Sequence, residues 1–474
     1  MNDLGVSDNN SSSISSITGS IVQEVQVTAV DDTNDPEGKK LLRKQDWHVI
    51  PPMALLYLLS FLDRANIGQA KLNGLTESLN LSSHEYNLCV SLFFVTYAVF
   101  EIPSNLALRK FGPVLWFPII MVAWGTVITL MGLAHSYGSL LACRLVLGAC
   151  ESGIFPGGCY YLSTWYTERE LSRRISIFFS ASALAGSFGG ILAYGISKMD
   201  GVGGQEGWRW IFYLEGIITV IVGVLAYFFL HDFPSHPPSF LTKSEHKRVR
   251  IRLKIPQETE PREHSIWKEV FIALATWRLY IWALCYIGLL VPFYSLSVFS
   301  PTIIHNLGFE TYTAQLLSAP PYAFAFVTTM TTAYFSDKYN RRSIFILCWL
   351  LITAVAYVIL IAVQQPIIKY LAVILATGSV SPAVASCIVY LSVNIHSQEE
   401  RATSLAFMIS FGNIGGIISG QIYRTQDAPR FILGHAVNLG FCALDQIVNV
   451  EDGHDDNNED ENDYENDDVD VDEF

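Results

Sequence analysis

The sequence predicts an all-α polytopic membrane protein in which two six-helix halves follow one another, and three observations point there. The chain of 474 residues is 51% hydrophobic and only 16% charged, with a mean hydropathy of +0.32, well outside the balance of soluble domains. Apolar runs of about 20 residues, the length that spans roughly 30 Å of hydrocarbon, recur along most of it. Two short motifs then repeat at nearly one offset, the mark of a duplicated unit.

The runs fall at Pro51–Gly68, Leu88–Leu108, Val114–Leu133, Ser139–Tyr166, Ile175–Ile196 and Trp210–Leu230. After a polar gap come Trp277–Ile304, Ala314–Phe335, Ile344–Val363, Ile367–Val393 and Leu405–Ile422. A twelfth candidate, Phe431–Leu444, is cut short by Asp445 and Gln446, so the twelfth helix is expected to be truncated or atypical. The organisation read from these runs is a cytoplasmic N-terminal segment (1–46), a first six-helix half (47–231), a cytoplasmic linker (232–276), a second helical half (277–444) and an acidic tail (445–474).

The repeat supports the halves. "GSFGGILAYG" from Gly186 and "GNIGGIISG" from Gly412 share Gly-x-x-Gly-Gly at an offset of 226 residues, while "NLALRKFGPV" from Asn105 and "AYFSDKYNRR" from Ala333 are offset by 228.

The net charge of −14 is local. Residues 445–474 hold fifteen acidic and no basic residues, so the remainder nets about +1. That tail, like the Ser- and Asn-rich residues 1–38, has little to bury and is expected to be disordered. The amino terminus lacks the basic-then-apolar start of a cleaved signal peptide. All eight cysteines fall inside apolar runs and read as packing residues, with no disulfide or metal framework indicated.

Basic residues set the orientation. With the amino terminus inside, the inner segments hold 22 Lys or Arg and the outer ones six: Lys71, Lys198, Arg209, Lys369, Arg424 and Arg430. Arg64 and Arg144 stay within the membrane. The linker's "EHKRVRIRLK" is a basic amphipathic stretch, suited either to anionic headgroups or to a solvated connector helix.

The resemblance can be placed on particular residues. Six plus six spans with a basic turn between the second and third of each half resemble the major facilitator superfamily. "AYFSDKYNRR" is similar to its loop motif, which makes Asp337, Lys338, Arg341 and Arg342 gating-loop candidates. In the first half Arg109 stands at the acidic position of that loop, so no carboxylate latch is expected there. "FLDRANIGQAKLNGL", "FEIPSNLALRKFGP", "YYLSTWYTERE", "GWRWIFYLEG" and "IYRTQDAPRFILGH" resemble the fungal anion:cation symporters, and within them the allantoate and nicotinate permease-like branch. Relatives continue a full twelfth helix, whereas this chain turns acidic at Asp445, as a shifted reading frame or a divergent tail would produce.

Charges in hydrocarbon need a reason. Arg144, Gly148, Glu151 and Phe155 fall within about 60° on one helix face. The resemblance implies that the first and fourth helices line a central cavity, which brings Asp63 and Arg64 to the depth of Arg144 and makes an Asp63–Arg144 or an Arg64–Glu151 pairing plausible. These charges either fix helix register alone or serve a substrate. For the second role Arg144 is the first choice to hold an organic carboxylate, its guanidinium offering a planar fork. Glu151 is the first choice for a proton carrier and Glu101 the second, Glu101 having a gate or loop anchor as its alternative. Glu215 reads as a helix anchor. On the facing wall Tyr294, Ser295, Ser381, Asn394 and Asn413 are further substrate-binding candidates, with packing as the competing role for Tyr294.

No proline interrupts Ile175–Ile196, where drug:proton antiporters of the superfamily carry Gly-Pro. No phosphate loop, metal-ligand spacing or catalytic triad pattern is present in the sequence, so an enzyme, a cofactor and a nucleic-acid partner are not expected. The expectation is a monomeric plasma-membrane symporter importing a small organic anion or vitamin, nicotinate-like at first guess, with at least one proton. A nutrient sensor without transport and a drug:proton antiporter are the alternatives.

Overall fold

A computed structural model describes residues 35–253, 275–339, 342–395 and 398–446, and all their regular structure is helical. The expected disorder of the amino terminus and of most of the acidic tail, together with Arg341, lies outside the described residues.

Eleven helices follow the apolar runs: α1 (Pro36–Leu72), α2 (Ser83–Phe111), α3 (Pro113–Met131), α4 (Tyr137–Trp165), α5 (Glu168–Ser197), α6 (Gly207–Phe229), α7 (Trp277–His305), α8 (Ala319–Tyr339), α9 (Arg342–Ala362), α10 (Pro366–Asn394) and α11 (Gln398–Ile422). A twelfth helical segment, α12, covers 432–446 and so takes in Asp445 and Gln446, which the hydropathy pattern had placed beyond it. Among the described residues nine helices are long and apolar enough to cross a membrane. Neither α1 nor α8 is one of these: α1 buries Ser60, Asp63, Arg64, Asn66 and Gln69, and α8 carries Thr328, Thr329, Thr331 and Thr332.

Local chemistry sets the boundaries. Ser82 caps α2: its hydroxyl accepts from the Glu85 amide (3.3 Å) while the Glu85 carboxylate accepts from the Ser82 amide (2.8 Å). Gly112 ends α2 at φ +78°, a conformation glycine adopts without strain, and Pro113 opens α3 with its φ already helical. The run expected as one helix from Ser139 is interrupted: α4 breaks at Ser152–Gly153, directly after Glu151. α5 begins at Glu168, nearly two turns earlier than expected, because Thr167 caps it against Glu170.

The chain divides into two compact units. The first joins the segment up to Trp47 with Pro234–Pro261. Within it the linker forms a helix, Lys243–Arg252, whose basic side chains engage α1. Lys44 meets Glu245 at 2.8 Å, Arg248 pairs with Asp35, Arg252 donates to Gln45 at 2.7 Å, and Val249 is buried.

The second unit holds the spans. Within it α5 packs on α8 and α11 on α2, while α3 packs on α6 and α9 on α10. The first two pairs are exchanged when each helix is advanced by six, as a duplicated six-helix unit requires. The repeated glycines make these approaches: a Cβ on Gly190 would lie 2.6 Å from the Gln315 carbonyl oxygen on the α8 side, and one on its counterpart Gly416 would collide with the Phe94 ring of α2. At the sparsely basic end Gln421 donates to Ser91 (2.8 Å), Ser91 to the Ile417 carbonyl (3.0 Å) and Gln69 to Ser318 (3.3 Å). At the densely basic end Ser172 donates to Asp337 at 2.6 Å. Ile217, Ile221, Val224 and Phe228 leave an apolar strip of α6 exposed, the surface that lipid covers.

Candidate functional site

The middle of the second unit is polar, charged and sealed. Arg64, on α1, is 3% exposed and Glu151, at the break of α4, is fully buried. Arg64 donates through Nη2 (2.7 Å) and Nε (3.1 Å) to Glu151 Oε1, and Ser60 Oγ, one turn earlier on α1, donates to the same oxygen at 2.6 Å. All three bonds converge on Oε1, leaving Oε2 buried without a partner. An ion pair this buried is tolerable only because its hydrogen-bonding valence is met so fully on one side.

The network then crosses to the second half. Arg64 Nη1 donates to the Tyr294 hydroxyl (3.2 Å), that hydroxyl donates to Asn413 Oδ1 (3.1 Å), and Asn413 Nδ2 donates to Glu101 Oε2 (3.0 Å). One chain of bonds thus ties α1 and α4 to α7, α11 and α2. Aromatic rings wall it in: the Arg64 guanidinium lies 4.7 Å from the Tyr97 ring centre and 5.5 Å from that of Phe93, and Phe94 packs on Tyr294 at 4.5 Å. Such stacking favours the weakly hydrated guanidinium in a dry site.

The sequence candidates separate in space. Of the two pairings, Arg64–Glu151 forms. Asp63 turns the other way, accepting through Oδ2 from Trp124 Nε1 (3.1 Å) and Thr219 Oγ1 (2.9 Å), which ties α1 to α3 and α6. One residue of rotation, 100°, sets it on a different face of α1 from Arg64. Glu215 takes a hydrogen bond from Asn66 and anchors the same rear layer. Arg144 meets neither carboxylate. It donates Nε to the Cys89 carbonyl at 3.3 Å, lies 4.6 Å from the Phe93 ring centre, and keeps Nη1 buried without a partner. Arg64 and Arg144 therefore both pack against one phenylalanine.

On the second half Tyr294 and Asn413 join the network, whereas Ser295 donates to Asn438 of α12 (3.3 Å) and Ser381 to the Thr377 carbonyl of its own helix (3.2 Å). The Asn394 side chain and all of Arg341 lie outside the described residues. In the loop motif Asp337 takes Ser172 of α5 and Arg342 (3.3 Å) together. Lys338 lies 5.8 Å from the Tyr339 ring, and Arg109 stacks on Tyr160 at 4.7 Å. Sequence reasoning missed Ser60, Phe93 and Tyr97. The signal was available, since Phe93, Tyr97 and Glu101 share a face at spacings of four, as do Ser60 and Arg64.

The family model of the Major Facilitator Superfamily matches residues 53–420, nearly all of the helical bundle. The chain belongs to the major facilitator superfamily. It is 36% identical over 422 residues to the MFS-type transporter cnsO of Penicillium expansum, covering 86% of this chain and 82% of that one. It is 33% identical over 426 residues to the high-affinity nicotinic acid transporter of Saccharomyces cerevisiae, covering 88% and 79%. Among solved structures it is similar to a bacterial homologue of the lysosomal transporter Spinster, inward-facing and occupied, with a TM-score of 0.64 at 15% identity over 86% of this chain and 97% of that one. The proton:xylose symporter XylE gives 0.65 at 13% identity over 85% and 95%. These two likenesses show the fold. A multi-pass membrane transporter of this superfamily moves a small molecule, and the sealed polar network lies on the helices that join its halves.

Proposed function

We propose that this protein imports a small organic monocarboxylate, with a nicotinate-like aromatic acid as first candidate, together with at least one proton. The observation that carries this reading is the buried Arg64–Glu151 pair at 2.7 Å, bonded through Tyr294 and Asn413 to the opposite half. In the unloaded site Glu151 is the counterion of Arg64. A proton arriving on Glu151 Oε2, the oxygen without a partner, removes that counterion and leaves the guanidinium to be matched by a substrate carboxylate. Tyr97, Phe93 and Tyr294 offer ring faces to a planar acid, and Arg144 Nη1 offers a second donor beyond Phe93. Arg64 rather than Arg144 takes the leading part, because Arg64 alone of the two is joined to both halves in this network. Glu101, reached through Asn413, is the relay on the far side.

Coupling to a proton also answers the electrical problem. A potential negative inside opposes an entering anion by about 2.3 kcal/mol per charge per 100 mV, and one accompanying proton cancels it. On this reading the protein sits in the plasma membrane with its amino terminus in the cytoplasm and the Lys71 end outside, an orientation that the excess of basic residues supports. Nicotinate itself is proposed on the kinship with the nicotinic acid transporter.

The test is uptake of labelled nicotinate by cells expressing the full chain, in acidic and neutral media, with and without a protonophore. Accumulation that is faster in acid and collapses with the protonophore is expected. Accumulation indifferent to both refutes the proton, and no nicotinate entry at any pH refutes the substrate.

A further inference from the structure

A cavity lies at the sparsely basic end, away from the central network. It is a half-open cleft of about 360 Å³ between the ends of α1, α7 and α11, and its lining includes Lys71, Phe299, Thr302, His305, Tyr423 and Phe431. That volume falls at the lower end of ligand pockets, which run from about 300 to 1,000 Å³. Lys71 holds its ammonium 4.3 Å from the Tyr86 ring centre and 6.0 Å from that of Phe299. Phe299 and Tyr423 stack at 5.2 Å to form an aromatic wall. Thr302, 9% exposed, lines the same space with an Oγ1 that has no hydrogen-bond partner.

The cavity sits over the central site. Lys71 follows Arg64 by seven residues, which puts both on one face of α1 about 10 Å apart along its axis. Between them a side chain at Gly68 would collide with the Val298 carbonyl, so α1 and α7 touch backbone to backbone and close the floor. One strip of α1 thus carries a cation above the seal and a cation beneath it.

We propose that this antechamber is a capture site for a small aromatic monocarboxylate, in which Lys71 pairs with the carboxylate, Thr302 Oγ1 donates to it, and the Phe299–Tyr423 stack takes the ring. The anion waits there until the floor opens toward Arg64. The site deepens the import reading and rests on it for its orientation. Burial pulls the Lys71 ammonium down to about 8, with Glu77 opposing the shift. Lys71 lies beyond the first apolar run, and the titratable groups around it are Glu77 of its own segment, Tyr86 of α2, His305 of α7 and Tyr423 after α11. Because the lysine is the cation only below that value, capture weakens as the outer pH rises through about 8.

The experiment measures nicotinate uptake by cells expressing wild type, Lys71→Gln, Lys71→Arg and Thr302→Val, normalised to surface protein. Lys71→Gln should raise KM about tenfold, the loss of a charge-assisted contact, and keep the maximal rate. Lys71→Arg should restore KM, and Thr302→Val, which keeps the side-chain shape, should raise it several-fold by itself. An unchanged KM in both Lys71→Gln and Thr302→Val overturns the proposal. If wild type takes up no nicotinate, the import reading fails and the capture site is judged alone, by equilibrium binding of benzoate and nicotinate to the purified full chain carrying Arg64→Ala. Binding that drops about tenfold on adding Lys71→Gln then supports the site, and equal or absent binding overturns it.

Discussion

At the scale of single residues, the geometry of one carboxylate makes the sharpest statement. Glu151 receives three hydrogen bonds on Oε1 and none on Oε2. Replacing it by Gln keeps an acceptor for Ser60 and Arg64 but removes the carboxylate to which the import proposal assigns the proton. Glu151→Gln should therefore spare exchange of labelled for unlabelled nicotinate across the membrane while abolishing uphill uptake driven by a pH gradient. Normal gradient-driven accumulation would move the proton to Glu101. Asp63 behaves differently because its partners are structural. Asp63→Leu leaves Trp124 Nε1 and Thr219 Oγ1 buried without acceptors, at about 1–3 kcal/mol each, whereas Asp63→Asn keeps an acceptor. A thermal melt of the purified protein should show a clear loss for Leu and a small one for Asn, with nicotinate KM preserved in the Asn variant. The sequence made the depth of these charges legible but not the rotation that separates Asp63 from Arg64. Ser60, Asp63, Arg64, Asn66 and Gln69 are all buried, so α1 has no polar face to fix its phase.

At the scale of elements, the apolar runs located the spans, and capping chemistry explains where their ends moved. Ser82 with Glu85 and Gly112 with Pro113 are boundary signals in the sequence itself. The break of α4 at Ser152–Gly153 was masked because the residues on either side continue one apolar pattern, although Ser-Gly is itself a turn signal. The glycines of α5 and α11 were visible as a repeat, and the structure shows their neighbours. Gly190→Leu would drive a side chain into the Gln315 carbonyl and hold α5 away from α8 near the Lys71 end. Uptake should fall by about tenfold or more, and a cysteine placed at Thr302 should react faster with an impermeant thiol reagent than the same cysteine in the Gly190 background. Equal reactivity would show that the seam tolerates the bulk.

At the scale of the whole molecule, hydropathy made the bundle legible because lipid demands apolar length, and its runs marked even α1 and α8, the two least apolar of the eleven, which bury Asp63 and Arg64 and Thr328, Thr329 and Thr332 inside. The proposed orientation is testable directly. A cysteine at the exposed Asn80 should be labelled by an impermeant maleimide in intact cells and one at Arg342 should not, and the reverse pattern would invert the topology. In the first unit Glu245 keeps its carboxyl below the usual range, held down first by the hydrogen bond from Lys44 and then by the Thr242 amide. Its folded value being lowered, the pairing contributes at and above the ordinary glutamate range and is lost as pH falls through the lowered value. Lys44→Glu combined with Glu245→Lys should recover what either reversal loses, within about 1 kcal/mol for so exposed a pair. The Arg64–Glu151 pair has a further consequence for the membrane voltage. With the cavity unloaded the two groups sum to zero, so when the unloaded protein turns back toward the outside the electric field does no work on them. Voltage steps applied without substrate should then draw no capacitive current from this pair, and Glu151→Gln, which leaves Arg64 uncompensated, should make one appear.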